Sequence, residues 1–472
     1  MNTATEGKQS FTPTLFPPQR GKEWYHTRGF KELAFIEGTT QTSYRKTSQH
    51  LNRIRYQPEA TPSRTLQDNT EREGERILEQ INAKSQEILK QHQFSSQGLP
   101  DEELAPSYEK QSPQHLSNEV VQAAITHCTQ KFLSQTLQNS PLPDELPKLA
   151  SEHPVDAANL LPIVHENEVS EQALENQGDN LKLPQIKLSH DEILQEMQRN
   201  PVSYEDSAQS INISVDDVGV KQQKEERGTD DEDHEQGAAQ PTAWGSTPDP
   251  PTRKYAYQTV IHIQKQQSSY AFNGVGWANL LSVLIAFLVH NNLLQYNLIF
   301  FVDGQKTLHR AIQKAFAWFL PMQLILDWYH LQEKCEQQLS MALKGRKIRN
   351  GVLARLMPLL WNGMLDSAIA YLRSLEPELV KDADRLQALI DYFERNRSFI
   401  PCYSVRKRLG LRNSSNIGEK YNDLLVSERQ KHNGMSWSKA GSVALAAIQA
   451  LTKNQEWQRW FRTGDLAFKF AT

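Results

Sequence analysis

"NLIFFVDGQKTLHRAI", residues 297–312, is the stretch on which the fold turns. Four apolar residues, Ile299 to Val302, stop at Asp303-Gly304, and a helix-like pattern follows. A short apolar run bounded by a turn pair reads as a buried strand. Asp-Gly is an ordinary turn pair, so a turn is the plain reading of Asp303. The position also has a chemical reading, because ligands of α/β sheets bind beyond the carboxyl ends of strands. A carboxylate held there is costly unless it is solvated, paired or metal-bound.

Two more places repeat the pattern. Asp216-Asp217 follows "INISV", in which Ile211, Ile213 and Val215 alternate as in a strand, and Asp327 follows "MQLIL". Alternation puts Asp216 on the opposite face from Ile213 and Val215, and Asp217 on their face. Carboxylate-only ligation suits hard cations, Mg²⁺ or Mn²⁺. Two such ions about 4 Å apart activate a water or a 3′-hydroxyl and stabilise the leaving oxygen. A third carboxylate comes most economically from a helix packed on the sheet. Glu419 is the candidate, near a helix start preceded by the capping types Ser414-Ser415-Asn416. Arg429 and Lys431 follow roughly three turns on, as candidates for phosphate contact. Taken alone, Glu419 reads as compensation of a helix dipole. The set of acids, rather than any member, points to a metal site.

Working outward, strands flank this motif and helices are interposed, which predicts an α/β core carrying an all-α insertion. Residues 1–92 are expected to hold an N-terminal helical region. Its two short helices around Gly38-Thr39-Thr40 follow the plan of a helix-turn-helix, with Ser43 as N-cap of the second. That second helix offers Arg45, Lys46 and Arg53 to DNA, although an ordinary helical hairpin has the same pattern. Residues 93–208 are rich in Gln, Ser, Glu, Asn and Pro and read as a flexible polar linker with short helices around 117–138 and 189–199. The first part of the core spans 209–330, interrupted by an acidic, Pro- and Gly-rich loop at 225–252. An all-α insertion covers 331–409, and the Glu419 helix with the rest of the core covers 410–472. The apolar run 275–289 is too short for a confident membrane span and reads as a buried helix.

The chain has 472 residues, and length alone suggests about three domains. The net charge of −4 hides an uneven distribution. Residues 401–472 hold 12 Lys/Arg and 5 Asp/Glu, a local excess of +7, and "KGRKIRN", 344–350, adds Arg346 and Lys347. A local basic field matters more for polyanion binding than the whole-chain sum. The three cysteines, Cys128, Cys335 and Cys402, form no CxxC pair, which argues against a zinc ribbon or disulfide framework and fits a reducing cytosol. The first residues lack a basic stretch followed by an apolar one, so no signal peptide is read.

In this order the motifs resemble those of bacterial insertion-sequence transposases with a ribonuclease-H-like core and a DDE triad, specifically the Mutator-related group with an all-α insertion before the Glu. "SVDDVGVKQQK" is similar to the first-Asp strand and "FFVDGQKTLHRAI" to the second. "DWYHL" fits a (Cys/Asp)-x-x-His signature, here Asp327 and His330. "NIGEKYNDLLVSERQKHNGMSWS" is similar to the Glu helix, with Arg429 ten positions after Glu419 and Gly-Met-x-Trp beyond it. The resemblance touches 31–77 and 211–445. It implies a catalytic and metal-binding set of Asp216, Asp303 and Glu419, with Asp216 rather than Asp217 as the first member. Asp217, Asp327 and His330 would be signature or supporting residues, and two Mg²⁺ or Mn²⁺ ions the cofactors. It also implies element-terminal inverted repeats and target DNA as partners, self-association at least to a dimer, no membrane, and a cytoplasmic, nucleoid-associated protein. The chain departs from the pattern at Ser414-Ser415-Asn416, where Gly-Ser-Gly is common, and at Gly418, where a small apolar residue is common. Both changes are expected to loosen the helix start. An inactive, domesticated DNA-binding regulator and a nuclease without strand transfer carry the same residues.

Overall fold

A computed structural model describes residues 28–41, 43–54, 56, 61–137, 183–223, 255–431 and 435–470. The acidic loop 225–252, the first residues of the chain and the middle of the polar segment fall outside the described residues.

One five-stranded sheet organises the chain, in the order β3-β2-β1-β4-β5. Strands β1 (Ser210–Lys221), β2 (Tyr255–Lys265) and β3 (Ser268–Gly274) pair antiparallel. Strands β4 (Asn297–Val302) and β5 (Met322–Leu326) extend the other edge in parallel. Every residue of β4 is buried, as the quoted apolar run requires. The fold is therefore mixed α/β, as expected.

Register gives the sheet its functional edge. Ser214 lies opposite Phe301, and Phe301 opposite Ile325. Two residues further along each parallel strand stand Asp216, Asp303 and Asp327. Asp303 and Asp327 follow the ends of β4 and β5, but Asp216, expected at a strand end, lies within β1, which pairs with β2 on to Lys221; the three form one row across β1, β4 and β5, about 4.8 Å apart from strand to strand.

Helices cover both faces. On one, α6 (Trp277–His290) is buried from Leu280 to Val289, with Ile211, Ile213 and Val215 in the same core. Among the described residues no helix is long and apolar enough to cross a membrane. The other face receives Val218, Val220 and Val260 against Leu425, Val426 and Leu445 of the C-terminal helices.

The N-terminal helices α1 (Arg28–Thr40), α2 (Tyr44–Ile54) and α3 (Ser63–Gln91) form where expected, and the Ser43 hydroxyl accepts from Lys46 N at 3.2 Å. They are not set apart from the core. Ile77, Ile81, Ile88 and Leu89 of α3 enter the main core. Gly74 crosses α14 (Lys439–Lys453) so closely that an added Cβ would stand 2.3 Å from the Ala444 carbonyl oxygen.

The all-helical block after β5 has its own core, built from α8 (Trp328–Ala342), α9 (Arg346–Trp361), α10 (Leu365–Arg373), α11 (Ala383–Asn396) and α12 (Tyr403–Arg408). The described parts of the polar segment correct the expectation of a flexible linker. Helices α4 (Asn118–Leu137) and α5 (His190–Gln198) bury Ile125, Cys128, Phe132, Ile193 and Met197 in that same core. Their few apolar residues share one stripe, and a stripe suffices when a partner covers it. A buried bidentate pair locks the block to the sheet. Arg406 donates to both Glu205 oxygens at 2.7 Å, just before β1, and also to the Arg412 carbonyl.

Candidate active site

The site lies where the row of acids meets α13 (Asn416–Asn422). Gly418 explains the contact. A Cβ there would stand 2.5 Å from the Ser214 Cβ and 2.7 Å from its Oγ, so only glycine lets the helix lie on β1 this closely. Gly418, expected to loosen the helix start, is what seats it. Ser414-Ser415-Asn416 do not cap with a side chain either. Instead the Ser415 N–H donates to Asp327 Oδ2.

Asp327 thus joins two helix starts. It N-caps α8, accepting at Oδ1 from Tyr329 N at 2.7 Å and His330 N at 3.3 Å, while Oδ2 holds the start of α13. The strand "MQLIL" therefore ends at Leu326, and "WYHL" opens α8. Fully buried and occupied by backbone donors, Asp327 is a brace. His330, three residues on, brings Nε2 to 3.8 Å from Glu419 Oε1.

Asp216 and Asp217 part as alternation requires. Asp216 Oδ2 accepts from Asn422 Nδ2 at 2.6 Å, on the face of α13, and Oδ1 accepts from Asp217 N at 2.8 Å. The Asp217 carboxylate faces the other way, accepting from Thr259 Oγ1 and, at 3.2 Å, from Trp277 Nε1. Asp303 follows β4 and accepts from Gln305 N at 2.9 Å. Gly304 turns with φ +85°, a conformation that favours glycine, and the Tyr392 hydroxyl of α11 donates to the Asp303 carbonyl at 3.4 Å.

Electrostatics mark the cluster as strongly interacting. Burial pushes the Asp216 carboxyl up to about 6, with His330 opposing and Asp303 adding. Burial likewise pushes Glu419 up to about 7; Asp327 adds, His330 opposes and Asp216 adds again. Burial disfavours the charged form of His330, but Asp327, Asp216, Glu419 and Asp303 together outweigh it and raise the imidazole above its ordinary value.

A cation suits this donor set. Glu419 Oε1 is buried without a hydrogen-bond partner, and such an oxygen is costly unless something positive completes it. Among the described residues, the ligand atoms that gather within 4.8 Å of one another belong to Asp327, His330 and Glu419. Asp216 and Asp303 are not members of that group. Of the three expected acids, Glu419 is the one that belongs to this group, and its group partners are His330 and Asp327.

The residues expected to contact DNA divide. Arg45, Lys46 and Arg53 are exposed on α2, while Tyr44, Thr47 and Leu51 face inward. Arg346 and Lys347 are exposed at the start of α9, and Lys431 is exposed. Arg429 corrects the expectation. It is 3% exposed, donates from Nε to the Gly38 carbonyl at 3.0 Å, and lies 5.3 Å and 5.2 Å from the Tyr44 and Trp437 ring centroids. It clamps α1 and α2 to the end of the site helix. The reason is a π-helical turn, Asp423–Ser427, that shifts the phase of the residues after it.

Two further residues serve the site. Asn422 stands three positions after Glu419, and that i,i+3 spacing was available as a signal. Tyr392 lies 89 positions from Asp303 within the all-helical block after β5, and nothing local announces it. Comparison of the chain with family models, with curated proteins and with solved structures returned no match.

Proposed function

We propose that the chain is a DNA transposase: a ribonuclease-H-like core with an all-α insertion that cuts the ends of a mobile element and joins the freed 3′-hydroxyl to target DNA. The observation that carries this reading is the row of Asp216 and Asp303 across β1 and β4, beside α13, which Gly418 seats on β1 and which carries Glu419 with a buried, unpartnered oxygen. Further support comes from the all-helical block standing between β5 and α13, where the resemblance asks for an insertion.

Asp216, Asp303 and Glu419 would hold two Mg²⁺ or Mn²⁺ ions, which when bound lower the pKa of an attacking oxygen and stabilise the leaving one. The protein's own residues set the stage. Asn422 aims Asp216, the Gly304 turn presents Asp303, and Asp327 fixes α13 so that Glu419 faces the row. His330 keeps a proton donor beside Glu419 and tempers the repulsion among four carboxylates. Water or a 3′-hydroxyl gives up its proton to solvent and attacks phosphorus in line, and in both steps the displaced 3′ oxygen leaves with the P–O electron pair and is protonated from solvent, without a covalent enzyme intermediate.

The test supplies purified protein with Mg²⁺ or Mn²⁺ and DNA carrying the flanking inverted repeats. Strand transfer that is lost in Glu419→Gln supports the reading. Strand transfer that survives Glu419→Gln overturns the site, and DNA binding without cleavage under any divalent cation overturns the enzyme.

A further inference from the structure

Helix α7 (Lys306–Ala315) begins three residues after Asp303 and carries no acid. Lys306, Arg310 and Lys314 are exposed and four residues apart, so they form one stripe about 12 Å long from first to last Cα. Like charges at this spacing repel one another, and Lys306 also stands at the positive end of the helix dipole. Among the described residues no carboxylate pairs with any of the three. Leu308 and Ile312 of α7 lie in the main core, so the helix is held firmly with its cations outward.

Two more cations lie beside Tyr392, whose hydroxyl reaches the Asp303 carbonyl, both from the all-helical block. Lys334 of α8 places Nζ 5.7 Å from the Tyr392 ring centroid, and the Tyr392 hydroxyl reaches the Asp303 carbonyl. Arg395 of α11 is exposed and near enough to Tyr392 to oppose, in part, the rise that burial imposes on the phenol. Cations from three separate elements therefore flank the turn that presents one candidate catalytic acid.

We propose that α7 is a track for a DNA backbone, with Lys306, Arg310 and Lys314 pairing with phosphates of one strand as it leaves the carboxylates, and with Lys334 and Arg395 holding the phosphate nearest Asp303. The occupant is a polyanion of regular charge spacing because the stripe is regular, unneutralised and continuous with the acids. The identification of that polyanion as DNA rests on the function proposed above. Substrate orientation follows: the strand runs along α7, away from α13, and the insertion contributes to binding as well as to packing.

The experiment measures binding of a fluorescein-labelled DNA duplex by anisotropy over a series of salt concentrations, without divalent cation, so that binding is read apart from cleavage. For Lys306→Gln/Arg310→Gln/Lys314→Gln the log–log salt slope should fall by about 2.7, three phosphates at about 0.9 each. The equally exposed Arg373, Lys381 and Arg385, changed together to Gln, are the control and should leave the slope within about 0.5 of wild type. Circular dichroism establishes that both variants are folded. An unchanged slope in the α7 variant, an equal loss in the control, or failure of the wild-type protein to bind DNA overturns the track. Binding that depends on α7, in a protein that cleaves nothing, keeps the track and overturns the enzymatic reading instead.

Discussion

Gly418→Ala is a single-methyl perturbation whose consequence can be worked from the contact between α13 and β1. The new Cβ would lie 2.5 Å from the Ser214 Cβ, where ordinary contact begins at 3.4 Å, so the two must separate by about 0.9 Å. Ser214 cannot supply that movement. It sits in a central strand, paired with His262 on one side and Phe301 on the other. The helix has to retreat, and Glu419 is the next residue. Overpacking of this kind costs about 1–3 kcal/mol, and a displacement near 1 Å in a catalytic group costs on the order of 100-fold in rate. Thermal unfolding and the rate of Mg²⁺-dependent DNA cleavage should both report the change. Ser214→Gly in the same chain removes the opposing Cβ and Oγ, so the double variant should recover most of the lost rate despite the glycine it adds to a strand. A Gly418→Ala protein with wild-type stability and rate, or a double variant no better than the single, would refute the claim that this contact seats Glu419.

Other expectations can be checked separately. Glu419 and Asp216 have folded values of about 7 and about 6, above their ordinary 4.5 and 3.8; between those limits the folded cation-free protein holds protons that the unfolded chain has released. The stability that these two groups contribute without divalent cation is therefore present at low pH and should be lost as pH rises through about 4 to 7, roughly 3 kcal/mol of it from Glu419. Calorimetric Mn²⁺ affinity should move the other way, rising about fivefold from pH 6 to 7 as Glu419 gives up its proton, and a pH-independent affinity would contradict this. Glu205→Ala strands a buried guanidinium and should cost about 3–5 kcal/mol in denaturant unfolding, while Glu205→Leu with Arg406→Met should restore much of it; equal loss in both would mean that packing, not charge, is at stake. Arg429→Ala should destabilise by about 2–4 kcal/mol through its lost backbone hydrogen bond and ring contacts without lowering the salt slope of DNA binding, whereas Lys431→Ala should leave stability within about 0.5 kcal/mol. A slope that drops by about one in Arg429→Ala would restore its phosphate contact.

Sequence carried a large part of the fold because its signals were local. The run Ile299 to Val302 was apolar on both faces, as a strand buried on both faces must be, and Ile211, Ile213 and Val215 alternated, so β4 with Asp303 after it and the first half of β1 could be placed from spacing alone, although β1 runs on past Asp216 to Lys221. Asp216 was separated from Asp217 by parity, and the fold places them on opposite faces of β1. What sequence could not supply was depth. The 93–208 segment looked too polar to pack because its apolar stripe is thin, and only the helical block beside it makes α4 and α5 worth forming. Arg429 looked like a surface cation because a π-turn has no plain signature, and that turn rotated it into a box of Tyr44, Trp437 and the Gly38 carbonyl. Gly418 read as a weakness for the same reason: its purpose lies in a contact with Ser214, 204 positions earlier. Asp327 was seen near the right place, but its three backbone donors come from two helix starts that only the fold brings together.

The most direct test of the central claim is the rate of Mn²⁺-dependent cleavage of DNA bearing the element ends by Asp216→Asn, Asp303→Asn and Glu419→Gln, singly and in pairs, in protein shown to be folded. If the three carboxylates form one centre, each single change lowers the rate by on the order of 1,000-fold or more, and the pairs fall little further, because groups that act as a unit are not additive. A single variant that keeps its rate, or pairs whose losses multiply, would contradict the account.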